Sequence, residues 1–388
     1  MKYFLLIFSI SLSIISSRGQ SSFNDIIMSA LENDKEILAR QAAGEASVTY
    51  SDIAGPQIDF EHLWPSRANE DVKWNLGISQ EFDWPGAYGA RAKVAALERE
   101  NASLQLLQAR AEKALSVKQI IIEIINSHCR LELYNAVARN LARVDSLTRV
   151  AFDRGAATSL DLWKMKLAVL ENQHSIATAE SEIRSFEGSL SATGVEFLNG
   201  EAEFWHDYPF QPLINPAEDN RSSLTEAIAR NTSSLGQARS KAIKMEAAPG
   251  FAVGYLHAFE ENTHFNGFTV GLRLPSFTQK KKNRVARLEA ESANFAISYE
   301  LDNQNAEMQG LYEEAVSLSK ALASYRELTG DESYLKLLDK SFNAGQLTVI
   351  DYLNEINLFI TARIGYLDLE YRYNQALAKL NRYRSLDF

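Results

Sequence analysis

Six histidines, one cysteine and two aspartates in matching positions are the side chains of this sequence with most reason to be tested for chemistry. The histidines stand at 62, 128, 174, 206, 257 and 264, and their spacing fits neither one helix face nor a Cys/His metal cluster. His257, Glu260, Glu261 and His264 gather in a stretch read as a hairpin loop, where weak cation binding competes with a plain solvated role. Cys129 sits in a helical pattern, is the sole cysteine, and so makes no intrachain disulfide. No local motif supplies the base that would activate its thiol, so it reads as a buried helix residue. Neither a Gly-rich phosphate loop nor a nucleophile elbow is present. No cofactor is implied, and the chain is expected not to be an enzyme.

The two aspartates are Asp161 and Asp351, and the segments around them repeat. Phe152-Asp-Arg-Gly155-Ala-Ala-Thr-Ser-Leu160-Asp161 returns as Phe342-Asn-Ala-Gly345-Gln-Leu-Thr-Val-Ile350-Asp351. The offset is about 190 residues. Lys93-Val-Ala-Ala-Leu-Glu98 and Arg284-Val-Ala-Arg-Leu-Glu289 match at nearly the same offset. The chain therefore reads as a tandem duplication, with a first repeat over 20–194, a linker over 195–221 and a second repeat over 222–388. By itself each Gly is a helix C-cap, and each Asp is a first-turn acid that favours the helix dipole.

Each repeat predicts the same order of elements. A helix (22–53, then 222–247) leads into an extended hairpin (55–84, then 249–275). A very long helix follows (86–153, then 279–343), then the Gly turn and a last helix (157–194, then 348–384). The hairpins alternate with period two. Val72, Trp74, Leu76, Ile78, Gln80, Phe82 and Trp84 share one face; Phe251, Val253, Tyr255 and Phe259, then Phe268, Val270, Leu272 and Leu274, do so in the second repeat. Half-buried soluble strands and lipid-facing barrel strands both show this pattern. Trp64, Trp74 and Trp84, with Tyr255, suit either an interfacial belt or an ordinary sheet edge.

Helix length separates the possibilities further. Each long helix would span ~100 Å, and the two shorter helices of a repeat, laid end to end, nearly match it. That suits a long tube or bundle rather than a compact core. Leu160, Trp163, Leu167, Leu170, His174 and Ala177 form a heptad seam, repeated by Ile350, Leu353, Asn357, Ile360, Ile364 and Leu367. A second stripe (Val349, Tyr352, Ile356, Phe359, Tyr366) runs beside it, so two packing neighbours are expected.

Composition and the chain start bound the compartment. Lys2 followed by the apolar run Tyr3 to Ile15, then Ser17-Arg-Gly19 before Gln20, reads as a secretory signal peptide over 1–19. A net charge of −10 argues against nucleic acid. Beyond the leader no run approaches the ~18 apolar residues of a spanning helix, so any membrane crossing must use strands.

These pieces together resemble the outer-membrane efflux protein family, the TolC-like ducts. The resemblance rests on Ile78-Ser-Gln-Glu-Phe-Asp-Trp-Pro-Gly86 before Arg91-Ala-Lys93, on Val270-Gly-Leu-Arg-Leu-Pro-Ser-Phe277 before Lys280-Lys-Lys-Asn-Arg284, and on the twinned Gly turns. It implies a mainly α chain with a small β part, in which the long helices build an α-barrel. Four strands per chain would complete a trimeric, twelve-stranded transmembrane β-barrel. It further implies a homotrimer in the outer membrane, in contact with its lipid and extending into the periplasm. There it would meet a membrane-fusion adaptor and an inner-membrane pump and release small molecules or metal cations. The turns at Gly155, Leu160, Gly345 and Ile350 would be the adaptor-docking tips, and Asp351 with Asp161 would form the channel constriction. Asn354 and Leu347 depart from charged positions of some members, which puts the gate's wiring in doubt. The Phe-Asp-Trp-Pro-Gly segment points toward the heavy-metal branch. An exit duct for protein secretion, or a periplasmic helical adaptor or scaffold without a barrel, are the competing readings.

Overall fold

The computed structural model describes residues 23–46, 55–64, 72–194, 213–216, 224–260, 262–274, 279–329 and 333–382. The signal segment and most of the expected linker lie outside the described residues. Twelve elements follow one another: α1 (Phe23–Asn33), α2 (Lys35–Ala46), β1 (Gln57–Leu63), β2 (Lys73–Phe82), α3 (Pro85–Asp153), α4 (Ser159–Ser191), α5 (Leu224–Glu246), β3 (Gly250–Glu260), β4 (Thr263–Arg273), α6 (Gln279–Thr329), α7 (Ser333–Asn343) and α8 (Val349–Leu380). The order helix, two strands, long helix, helix occurs twice.

Two compact units are built from these elements. One takes α1, α3 from Ser116 onward, α4, the end of α6, α7 and α8 up to Asn374. The other takes α2, all four strands, α3 up to Leu115, α5, most of α6 and the end of α8.

In the first unit, α3 buries Ile121, Ile122, Ile124 and Ile125 almost completely. Removing each such side chain from water contributes ~1.5–3 kcal/mol. A second cluster joins Leu133, Val137, Leu141 and Val144 of α3 to Met165 of α4, Leu338 of α7, and Tyr352 and Ile356 of α8. Buried Asn126 satisfies its amide by donating to the Leu367 carbonyl at 3.0 Å. In the second unit α5 buries Ala229, Leu235, Ala238 and Ala242. A Cβ on Gly236 would come within 2.8 Å of the Ala290 Cβ, so small residues let α5 and α6 approach closely.

One expectation is corrected. The leading helix, expected over 22–53, breaks at Asp34. Its Oδ1 accepts from the Glu36 and Ile37 amides at 2.9 and 3.0 Å, which caps α2, and its Oδ2 receives Lys113 at 2.6 Å. That lysine lowers the Asp34 pKa and keeps the cap charged. Of the second long helix, expected over 279–343, α6 covers Gln279–Thr329 and α7 covers Ser333–Asn343, with 330–332 outside the described residues.

Packing within the chain leaves one of the two expected stripes open. Leu160, Trp163, Leu167 and Leu170 of the α4 seam are exposed by 60, 63, 60 and 60%. The face of α4 that packs within the chain is instead Met165, Asn172, Ala179, Ile183 and Leu190. In α8 the neighbouring stripe takes the core through Tyr352, Ile356 and Tyr366.

The fully buried Ile125 tests the first unit. Ile125→Ala is expected to destabilise the protein by ~2–5 kcal/mol, read as a lowered denaturant midpoint. Leu167→Ala at the exposed seam should change the unfolding of a dissociated chain by less than ~0.5 kcal/mol.

Candidate functional site: a two-faced sheet and twinned turns

The strands form one antiparallel sheet in the order β1-β2-β3-β4. Register decides which side chains share a face. Phe60 faces Leu76, Ile78 faces Tyr255, Phe82 faces Phe251, and Val253 faces Val270. The alternating apolar residues of all four strands therefore lie on one side. That side is open: Phe268 is 86% and Val270 81% exposed, and Ile58, Phe60 and Leu272 are exposed with them.

The other side carries charge. Lys73 Nζ meets Glu260 Oε2 at 2.7 Å, Asn75 donates to Glu61 at 2.9 Å, and Arg273 bridges Glu81 and Asp83. Opposite charges on neighbouring strands let an otherwise repulsive surface face water. Aromatic pairs mark two levels of the apolar side: Trp74 on Phe259 at 5.6 Å, and Phe82 on Phe251 at 5.3 Å. Trp74 and Phe82 are eight residues apart on β2, or ~26 Å of strand. An apolar barrel band is ~25 Å tall.

The twinned turns close one end of the first unit's helix cluster. Gly155 and Gly345 have φ of 74° and 70°, the left-handed conformation that closes a helix at least cost when Cβ is absent. The Gly155 and Ala156 amides donate to the carbonyls of Phe152 and Ala151; Gly345 and Gln346 do the same to Phe342 and Ser341. Each is a Schellman end. Four residues on, the next helix begins behind a matching cap. Asp161 Oδ2 accepts from the Thr158 amide and hydroxyl at 2.8 and 2.7 Å, and the Asp161 amide donates back to Thr158 Oγ1. Thr348 and Asp351 reproduce this at 3.3, 2.6 and 3.2 Å. Hydrogen bonds from the threonine hydroxyl, then its amide, hold both carboxyls below the usual carboxylate range.

All six site residues read from the sequence thus fall at these two turns. Leu160 and Ile350 are exposed beside them, at 60 and 38%. Asp161 and Asp351, expected together at the constriction, have the same local geometry. Thr158 and Thr348 were missed as their partners, although Thr-x-x-Asp ahead of a helix is a legible capping signal.

Beneath the second turn, Tyr352 donates to Asp339 at 2.9 Å, and Asp339 also pairs with Arg143. Burial and then that hydrogen bond push the Tyr352 hydroxyl well above its ordinary value. The Cys129 thiol is pushed up to about 12, chiefly by burial, which suits the expected inert role. No helix among the described residues is long and apolar enough to cross a membrane.

No protein-family model matches the sequence, and no curated protein matches it either. Solved structures do match in shape. A membrane protein from Pseudomonas aeruginosa superposes with a TM-score of 0.78 at 16% identity, covering 94% of this chain and 90% of that one. The outer-membrane channel OprN gives 0.77 at 12% identity, with 94 and 90% covered. The outer-membrane protein VceC from Vibrio cholerae gives 0.71 at 14% identity, with 93 and 95% covered.

The turns yield a stability test. Gly155→Ala and Gly345→Ala meet no atom within 4 Å of the new Cβ, so only backbone strain is felt, about 1–2 kcal/mol each. Asn at either position should recover part of that loss. Thr158→Ala and Thr348→Ala should each cost about 0.5–2 kcal/mol. Because both aspartate pKa values are lowered in the fold, the caps hold above the ordinary 3.8 and weaken as pH falls through the folded values. Thermal unfolding of the variants between pH 2 and 6 checks both statements. Over 93–94% of its length the chain has the fold of these membrane-protein structures, the outer-membrane channel OprN among them.

Proposed function

We propose that the chain is one protomer of a homotrimeric outer-membrane channel, a non-catalytic exit duct from the periplasm to the exterior. The observation that carries this reading is the two-faced sheet. Its open apolar side suits lipid and its ion-paired side suits a water-filled lumen. Strands β2, β3 and β4 have 10, 11 and 11 residues, the length a tilted membrane strand needs. Among the described residues β1 and β4 pair on one side only, and unpaired strand edges are untenable in lipid. Three copies would close twelve strands. The exposed α4 seam supplies a surface for a neighbouring copy, and the solved channels of the same fold support the compartment.

Within that reading, segments 20–194 and 222–388 are the two repeats, and the turns at Gly155, Leu160, Gly345 and Ile350 are the periplasmic tips that meet a membrane-fusion adaptor below an inner-membrane pump. The cargo class is small molecules or metal cations. Asp351, exposed and held ionised, contributes three negative charges to the constriction, with Asp161 nearby.

Two adjacent residues on opposite faces test the membrane reading. Val270→Lys places a charge on the lipid side and should cost ~2–4 kcal/mol per copy at mid-membrane, emptying the outer-membrane fraction of the protein. Thr269→Lys, on the lumen side, should assemble normally. Equal recovery of both variants in outer membranes, or wild-type protein found wholly soluble in the periplasm, rules the barrel out. For the constriction, Asp351→Asn is expected to reduce cation preference and block by multivalent cations in planar-bilayer recordings. Unchanged selectivity and block would leave Asp351 as a helix cap alone.

A further inference from the structure

The sequence pattern puts His257 and His264 in a loop, but the structure puts them inside strands. His257 belongs to β3 and His264 to β4, with the turn confined to the positions around Asn262, whose φ is 62°. His257 pairs in register with Asn266, and His264 with Phe259, so the two rings are diagonal neighbours on the apolar side. Their facing nitrogens, His257 Nε2 and His264 Nδ1, are 3.2 Å apart with ring centroids at 5.3 Å.

A third side chain fixes how these nitrogens are protonated. His257 Nδ1 lies 2.8 Å from Asn266 Oδ1, an acceptor, so Nδ1 carries the proton and donates it there. The Tyr255 hydroxyl donates to the same oxygen at 2.6 Å and holds it in place. His257 Nε2 is left with its lone pair aimed at His264. Metal-binding histidines are oriented in this way, with the far N–H given to a carbonyl or carboxylate oxygen. Trp74 stands 5.6 Å from the His257 ring and Phe259 5.0 Å from that of His264, so the pair is set among aromatic walls.

We infer that His257 and His264 form a two-histidine chelate for a divalent transition-metal cation, bound by His257 Nε2 and His264 Nδ1 and linking β3 to β4. Metal–nitrogen bonds of ~2.0–2.1 Å place two ligand nitrogens about 2.9 Å apart at a right angle and about 3.4 Å apart at a tetrahedral one. The observed 3.2 Å lies between these limits. Binding requires the exposed His264 ring to pivot from the line of the present hydrogen bond and to move its proton from Nδ1 to Nε2. Both imidazoles stay neutral and no oxidant or reductant is involved. Among the described residues no group of three His, Cys, Asp or Glu side chains forms a site, so water would complete the shell. Two imidazole donors with open positions suit Cu2+, Ni2+ or Zn2+ and disfavour Mg2+ or Ca2+. The chelate is independent of the channel reading, because it needs only the hairpin.

Full-length protein purified in detergent and stripped with a chelator provides the test. Titration with Cu2+ should show one saturable site per chain, and its electron paramagnetic resonance spectrum should carry hyperfine coupling to two imidazole nitrogens. His257→Gln and His264→Gln should each weaken the site at least ~10-fold, and Asn266→Leu, which removes only the orienting oxygen, by ~10–100-fold. Mg2+ should not compete. A wild-type spectrum with fewer than two imidazole nitrogens overturns the assignment whatever the variants do. So does unchanged affinity in either glutamine variant whose β-sheet circular dichroism is intact.

Discussion

β1 and β4 each carry a row of backbone N–H and C=O groups that no described strand receives. In water such edges invite pairing with another chain, and in lipid each unsatisfied group costs several kcal/mol. A four-stranded sheet exposed on both faces has no way to end these rows by itself. In the proposed assembly, further copies of the same edges would end them by closing a barrel. The remaining features of the sheet fit that requirement. An apolar surface as open as that of Phe268 and Val270 suits lipid, and the salt links of Lys73 and Arg273 suit water.

The helices answer to a different constraint. In α4 the more apolar stripe, Leu160 to Leu170, is open, while the stripe built of Met165, Asn172 and Ala179 is buried. Within one chain this inverts the usual arrangement, since exposed Leu and Trp forgo ~1.5–3 kcal/mol each that burial would contribute. In the proposed assembly a neighbouring copy would cover the open stripe and remove the inversion. Sheet edges and helix seams thus make the same demand from two independent parts of the chain. On the inner side the Asn172 amide donates to the Tyr134 carbonyl at 3.0 Å, tying α4 to α3 beside the Met165 cluster.

Much of this was legible in the residues for simple geometric reasons. A strand alternates its side chains whatever its neighbours do, so period two assigned Trp74 and Ile78, and separately Val253 and Val270, to the apolar face of their own strands before any register was known. The Gly turns were legible because few residues other than glycine adopt positive φ without strain. Other features depended on distant partners. The break at Asp34 has no glycine or proline to announce it, and its charge is held by Lys113, far along the chain. Heptad spacing shows that Leu160 and Leu167 share a stripe, but it does not say whether that stripe meets its own chain or another. His257 and His264 were placed in a loop because the turn was read too broadly; their meeting depends on cross-strand register, which period two leaves open.

The polar face explains why the sheet should curl one way. Beside Leu256, Phe265 and its charged side chains it carries Gly77, Gly254, Gly267 and Gly271, with Ala252 and Ala258. At Gly254 a Cβ would lie 2.6 Å from Thr269 Oγ1 and 2.8 Å from the Ile78 carbonyl, so the backbone runs closer to its neighbours there than any side chain allows. Glycine inside a strand normally weakens it, and is retained where a bend or close approach needs the space. Small residues on one side and large ones on the other favour curvature toward the small side, because the large side chains then splay apart. In the proposed barrel, curvature of that sense would put the ion-paired face on the lumen side and leave the aromatic side toward lipid.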